Sequence, residues 1–244
     1  MEEKYVLFVL LAFVSEILGT ISGFGSSILF VPIASLFFDF KTVLAITAAF
    51  HVFSNLSKIA LFRKGVDKNI VLKLGLPAVI FVIIGAIITT FLPTKQIELA
   101  MSIILVVIAI YLLIHSNKPI DRTDTNLYLG GIASGFIAGL TGTGGAIRGI
   151  TLAAFQLQKE VFIATSALID LGVDISRAAV YLSNGYFEKE YIFLIPFLIV
   201  ISILGSYIGK LILNYTSEKA FRYLVLGVII ITAILQILKY LKNA

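Results

Sequence analysis

Apolar runs separated by polar breaks divide the chain into ten segments, about 5–20, 25–38, 43–62, 70–92, 97–114, 126–139, 146–157, 161–182, 191–213 and 219–238. Two pairs stand apart. Segments 5–20 with 25–38, and 126–139 with 146–157, are short and joined by glycine-rich breaks instead of charged loops. One straight helix over 5–38 would run about 51 Å at about 1.5 Å per residue, against a bilayer core of about 30 Å, so the chain must fold back. Backbone that leaves the helix at membrane depth is tolerated only where it is buried in protein or lines a cavity. Both breaks are therefore candidate binding elements.

The two breaks are copies of one another. A shift of 119 places Gly23 on Gly142, Gly25 on Gly144, Ala45 on Ala164, Thr47 on Ser166 and Pro77 on Pro196; a shift of 120 places Gly65 on Gly185 and Gly85 on Gly205. The chain reads as an internal duplication, with a first membrane repeat over 1–115, a polar linker over 116–125 and a second repeat over 126–244. Each half holds a glycine-broken or re-entrant helix pair plus three transmembrane helices. Counted as a hairpin or as two crossings, the pair leaves each half with an odd net number of crossings, so the predicted fold is an all-α polytopic membrane protein of two inverted repeats. Loops around 63–73, 118–122, 159 and 219–222 then share one side with nine Lys and Arg, against six on the other. That side is expected to be cytoplasmic, with both termini outside. If each pair were one bent span, the repeats would be parallel and the charges split ten against five. Segment length favours the inverted arrangement and charge the parallel one.

Composition sharpens this picture. Of 244 residues, 59% are hydrophobic and 14% charged, with mean hydropathy +1.04. Soluble domains carry about 25% charged residues, so a soluble enzyme, a disordered tail and a secreted scaffold are excluded. The absence of Cys removes disulfides, thiolate metal sites and thiol nucleophiles. The net charge of +5 is spread through short loops, as orientation in a membrane requires, and does not point to nucleic acid. Met1 to Lys4 lacks a basic signal region, so the first apolar run is expected to remain as a helix. Tyr5, Tyr128, Tyr181, Tyr191 and Tyr223 read as interface anchors, and Lys210 as a side chain snorkelling to the interface.

At the breaks, Gly19-Thr20-Ile21-Ser22-Gly23-Phe24-Gly25-Ser26-Ser27 followed by Pro32, and Gly139-Leu140-Thr141-Gly142-Thr143-Gly144-Gly145, resemble the TauE/SafE family of membrane permeases, also called the sulfite exporter family. Gly65 and Gly185 extend the resemblance over nearly the whole chain. It implies transport of small, often sulfur-containing anions such as sulfite, sulfoacetate or related organosulfonates, coupled to an ion gradient. Thr151 in the place of Pro32, and a charged Arg148 where an apolar residue is usual, depart from the family pattern.

The residues reach anion binding without the resemblance. Each break is followed by a helix start, whose free N–H groups carry roughly half a positive charge and bind oxyanions. The candidate cradle comprises Ser22, Gly23, Gly25, Ser26 and Ser27 from the first break and Thr141, Gly142, Thr143, Gly144 and Gly145 from the second, with Arg148 as bidentate counter-charge. A structural ion pair of Arg148 with Asp170 or Asp174 is the competing reading of that arginine. His51, Asn55 and Lys58 form a polar stripe at i, i+4 and i+7, and adding 119 gives Asp170, Asp174 and Arg177. Asp170 is the preferred proton carrier, with Glu16 in reserve. Gly131, Gly135 and Gly139, at spacing four, read as helix-packing positions.

The expected function is secondary transport of a small inorganic or organic anion across the cytoplasmic membrane, with a proton as the candidate coupling ion. A small-anion channel using the same cradle is the alternative. No cofactor, metal or nucleic-acid partner is expected, and a homodimer remains open. An intramembrane enzyme is disfavoured, since His51 and His115 are the only histidines and no hydrolase or zincin motif occurs.

Overall fold

A computed structural model describes residues 3–23, 25–63, 65–114, 121–215, 217, 234 and 238. The expected tenth span over 219–238 and most of the linker lie outside these residues. The described chain forms nine helices: α1 (Glu3–Ser22), α2 (Ser27–Ala34), α3 (Phe40–Leu61), α4 (Lys68–Ile88), α5 (Thr94–Ile114), α6 (Asp124–Thr141), α7 (Gly145–Ala153), α8 (Lys159–Ser183) and α9 (Leu194–Leu213). Five stretches among them are long and apolar enough to cross a membrane, in α1, α3, α4, α5 and α9. At 25 residues α8 is longer than any of these, but it carries the second polar stripe. Near its start α4 widens into a π turn, Val71–Gly75, just where Pro77 has no N–H to return to the Lys73 carbonyl.

Local chemistry sets the helix ends. Asp39, Asp67 and Thr123 cap α3, α4 and α6 by accepting from Lys41 N, Ile70 N and Asn126 N at 3.0, 3.0 and 3.2 Å. At the breaks Gly23 and Gly142 take φ of +66° and +79°, a left-handed conformation that stops α1 and α6 and reverses the chain.

Both glycine-broken pairs fold back as helical hairpins. The Ser26 backbone lies against Gly19, and Ser26 Oγ reaches Glu16 at 2.8 Å; farther along, Phe30 and Phe38 meet Phe8 with ring centroids 5.4 and 4.8 Å apart. As the chain advances along α2 its partners move back along α1. Residues 5 and 38 consequently end at the same level, with the Tyr5 and Phe38 rings 6.2 Å apart. The second pair does the same: Gly144 packs on Ser134 and Ala138, Gly130 on Thr151, and Arg122 Nε donates to the Ala154 carbonyl at 2.8 Å. With 8 and 9 residues, α2 and α7 rise only about 12–14 Å, too little to cross alone.

The order long, short, long, long in α1–α4 recurs in α6–α9, and the packing is exchanged between halves. Gly205 of α9 packs on Glu16 and Phe13 of α1, while Gly85 of α4 packs on Phe136 and Gly139 of α6. The carbonyls of Leu74, Ala78 and Val82 lie where side chains of Gly131, Gly135 and Gly139 would start, so those glycines bring α4 and α6 into backbone contact. Helices α3 and α8 cross at the centre and run antiparallel. Thr42 meets Glu188 at 3.1 Å, His51 meets Arg177 at 3.3 Å, Asn55 meets Asp174 at 2.7 Å, and Asp67 N meets Thr165 at 2.9 Å.

One sequence expectation needs correction. Tyr181 is fully buried and donates to the Gly139 carbonyl at 2.5 Å, tying α8 to α6 instead of anchoring at an interface. Lys210 Nζ donates to Leu61 O at 2.5 Å, at the end of α3, and lies over the Phe62 ring.

Candidate functional site

The starts of α2 and α7 open on one small cavity between α3 and α8. Its walls are Gly25, Ser26 and Ser27; Gly142, Gly144, Gly145 and Arg148; His51, Ser54, Asn55 and Lys58; and Asp170, Asp174 and Arg177, with only Ala138 and Val173 apolar. Neither α2 nor α7 is capped by a side chain, and their first residues, Ser27 and Gly145, line this space. The open volume is about 10 Å³, room for about one water.

Three ion pairs fill the centre. Lys58 Nζ lies 2.9 Å from Glu16 Oε1, Arg177 Nη2 lies 2.7 Å from Asp174 Oδ1, and Arg148 Nη2 pairs with Asp170 Oδ2. The Arg148 Nε also donates to Ser166 Oγ at 3.1 Å, and Ser166 donates to the Gly23 carbonyl at 3.1 Å, linking α7 to the first break. Asn55 and Asp174, which are repeat-equivalent, touch each other across the centre. Both stripes therefore face the same interior.

Glu16 has no exposed surface and accepts from donors on three helices and the first break. Its Oε1 receives Thr20, Ser54, Ser206 and Lys58 at 3.1, 2.7, 2.8 and 2.9 Å, and its Oε2 receives Ser26 at 2.8 Å. The matching positions in the second half are Gly135, Gly139, Gly145 and Val173, so this cage exists once. Arg177 possesses only donors, so His51 Nδ1 must accept from it; Nε2 then carries the hydrogen and donates to Ser26 Oγ at 2.9 Å. His51 is thereby a neutral imidazole in a directed chain from Arg177 through Ser26 to Glu16.

Of the cradle residues read from sequence, Gly25, Ser26, Ser27, Gly142, Gly144, Gly145 and Arg148 line the cavity. Four do not. Ser22 bonds back to Gly19 O at 2.9 Å, the space beside Gly23 is filled by Phe162, and Thr141 and Thr143 bond each other at 2.8 Å. All six stripe residues line it, and Glu16 stands behind Lys58. Ser54 and Ser206 were missed. Ser54 lies four residues before Lys58 on the stripe and was within reach of the spacing, whereas Ser206 carries no local signal.

Membrane-crossing helices packed around an interior charged site define an all-helical, multi-pass membrane protein. The family model described as Sulfite exporter TauE/SafE matches residues 7–235, and the chain belongs to that family. A curated relative from Methanocaldococcus jannaschii, described as a probable membrane transporter protein, is 29% identical over 225 residues, covering 84% of this chain and 84% of its own length. No solved structure matches the chain. Family and relative point to a membrane transporter and not to an enzyme.

Proposed function

We propose that this protein is a secondary transporter for a small, sulfur-containing anion such as sulfite or an organosulfonate, working in the cytoplasmic membrane. The observation that carries this reading is the convergence of two uncapped helix starts and three buried cations, Lys58, Arg148 and Arg177, on one cavity. Helix N-termini and arginine are the groups that recognise oxyanions without large pockets. Arg148 supplies the counter-charge, and a proton carried by Asp170 is the coupling ion.

The antiparallel run of the repeat-equivalent α3 and α8 supports inverted repeats, since two parallel copies would send these helices the same way. The hairpins keep the crossing number of each half odd, which supports termini on one side, outside by the loop charge. An anion channel would use the same cradle; the small volume of the cavity, about 10 Å³, supports a transporter that must change shape to admit its cargo.

Counterflow in proteoliposomes tests this reading. A panel of sulfite, thiosulfate, sulfoacetate, taurine and small carboxylates is offered against unlabelled anion inside. Saturable exchange of at least one anion is expected, and unitary currents in a planar bilayer would replace the transporter by the channel.

A further inference from the structure

We propose that Asp170 is a built-in competitor for the anion. Its carboxylate holds Arg148 when the site is empty and yields only on taking up a proton, so that transport is electroneutral. This rests on the anion-transport reading of the site.

Charge is the first support. The enclosure holds Lys58, Arg148 and Arg177 against Glu16, Asp170 and Asp174, each cation on one carboxylate, with His51 neutral. Residues 224–238, most of them outside the described structure, contain no Lys, Arg, Asp, Glu or His. The interior is therefore balanced, and an added negative charge in such a setting is strongly unfavourable unless a positive one accompanies it.

Space is the second. A cavity of about 10 Å³ does not admit an oxyanion beside the three pairs, so an anion must displace a carboxylate. Asp170 is the one placed to leave. Glu16 is held by five donors, and Asp174 by Arg177 and Asn55. Among the described residues Arg148 alone hydrogen-bonds Asp170, whose side chain is 14% exposed against 4% for Asp174 and 0% for Glu16. A side chain at Gly25 would start 3.7 Å from Arg148 Nη2 and 3.8 Å from Asp170 Oδ2 and Ser27 Oγ, so the pair sits at the first break.

The groups facing Asp170 are Arg148 on α7, Lys58 and His51 on α3, and Asp174 and Arg177 on α8, with Glu16 of α1 behind Lys58. In the step, the Asp170 carboxylate gains one proton to become the neutral acid, and the Arg148 guanidinium passes its N–H donors to an anion oxygen. One negative charge and one proton enter, and the balance is kept. A dianion requires a second proton, taken by Asp174 as Arg177 turns to the anion.

The test uses the full chain in proteoliposomes, with methanesulfonate as a monovalent probe and thiosulfate as a divalent one. For wild type, an acid-outside pH gradient should drive uptake, whereas a potassium–valinomycin potential at equal pH should not. Above the titration of Asp170, apparent affinity should fall about tenfold per pH unit for each proton carried. Asp170→Asn should remove one tenfold step of that slope for either probe and make uptake respond to potential. Uptake driven by potential alone in wild type would overturn the proposal and needs no variant; so would an unchanged pH slope in Asp170→Asn. Gradient-free counterflow is read alongside. If neither probe exchanges, the transport reading falls and this inference with it; if exchange occurs and follows potential, only the inference falls.

Discussion

Replacing Glu16 by Gln keeps the shape of the side chain and removes the charge on which five donors converge. Lys58 would then lie buried with Ser54 at 2.8 Å as its remaining partner, and the Gln amide nitrogen would face hydroxyls that already donate inward. Breaking a buried ion pair from one side costs about 3–5 kcal/mol, because the other charge stays behind uncompensated. At about 2–4 °C per kcal/mol for a chain of this size, the melting temperature should drop by about 6–20 °C. Glu16→Gln/Lys58→Met removes both charges together and should recover most of the loss, giving a favourable coupling energy of about 1–3 kcal/mol in a double-mutant cycle. Thermal unfolding of detergent-purified protein, followed by tryptophan-independent probes such as circular dichroism, supplies the four values. A single mutant as stable as wild type, or a double mutant showing the plain sum of the two losses, would refute the cage.

Tyr181→Phe deletes the bond to the Gly139 carbonyl and should cost about 1 kcal/mol, seen as a fall of about 2–4 °C in the same assay. Gly135→Val drives a branched side chain into the Ala78 carbonyl; it should yield little monodisperse protein on size exclusion, whereas Gly65→Ala, which meets no neighbour and is strained only by its φ of +108°, should reduce the yield far less. Arg148→Lys keeps the charge but not the fork that reaches Ser166 and Asp170 together, and should weaken sulfite binding by about tenfold or more, measured by equilibrium competition. In whole cells, an impermeant maleimide should label Lys242→Cys directly and Asn214→Cys only after permeabilisation; the opposite pattern would contradict termini outside.

Much of the architecture is legible because bilayer thickness and glycine chemistry act locally. The four short segments and their breaks announce the hairpins, and the 119-residue offset places Asn55 and Asp174 on matching stripes that meet at 2.7 Å. Pairing within the stripes is another matter. Arg148 could read equally toward Asp170 or Asp174, and only the rotation of α7 against α8 decides for Asp170. Glu16 depends on Ser206, 190 residues away on α9, a contact with no local trace. Thr141 and Thr143 look like ligands in a line of hydroxyls, yet the left-handed turn at Gly142 folds them onto each other. Gly144 looks like open cradle, but a Cβ there would strike the Ser134 carbonyl, so this glycine serves the hairpin packing as well as the cavity wall.

Arg148→Met in sulfite counterflow tests the central claim most directly, because it removes the counter-charge from the site and leaves the hairpins in place. Wild-type proteoliposomes should accumulate labelled sulfite against unlabelled sulfite inside and saturate, while Arg148→Met, reconstituted as monodisperse protein, should show no exchange above empty liposomes. Wild-type exchange rates in Arg148→Met would contradict the account.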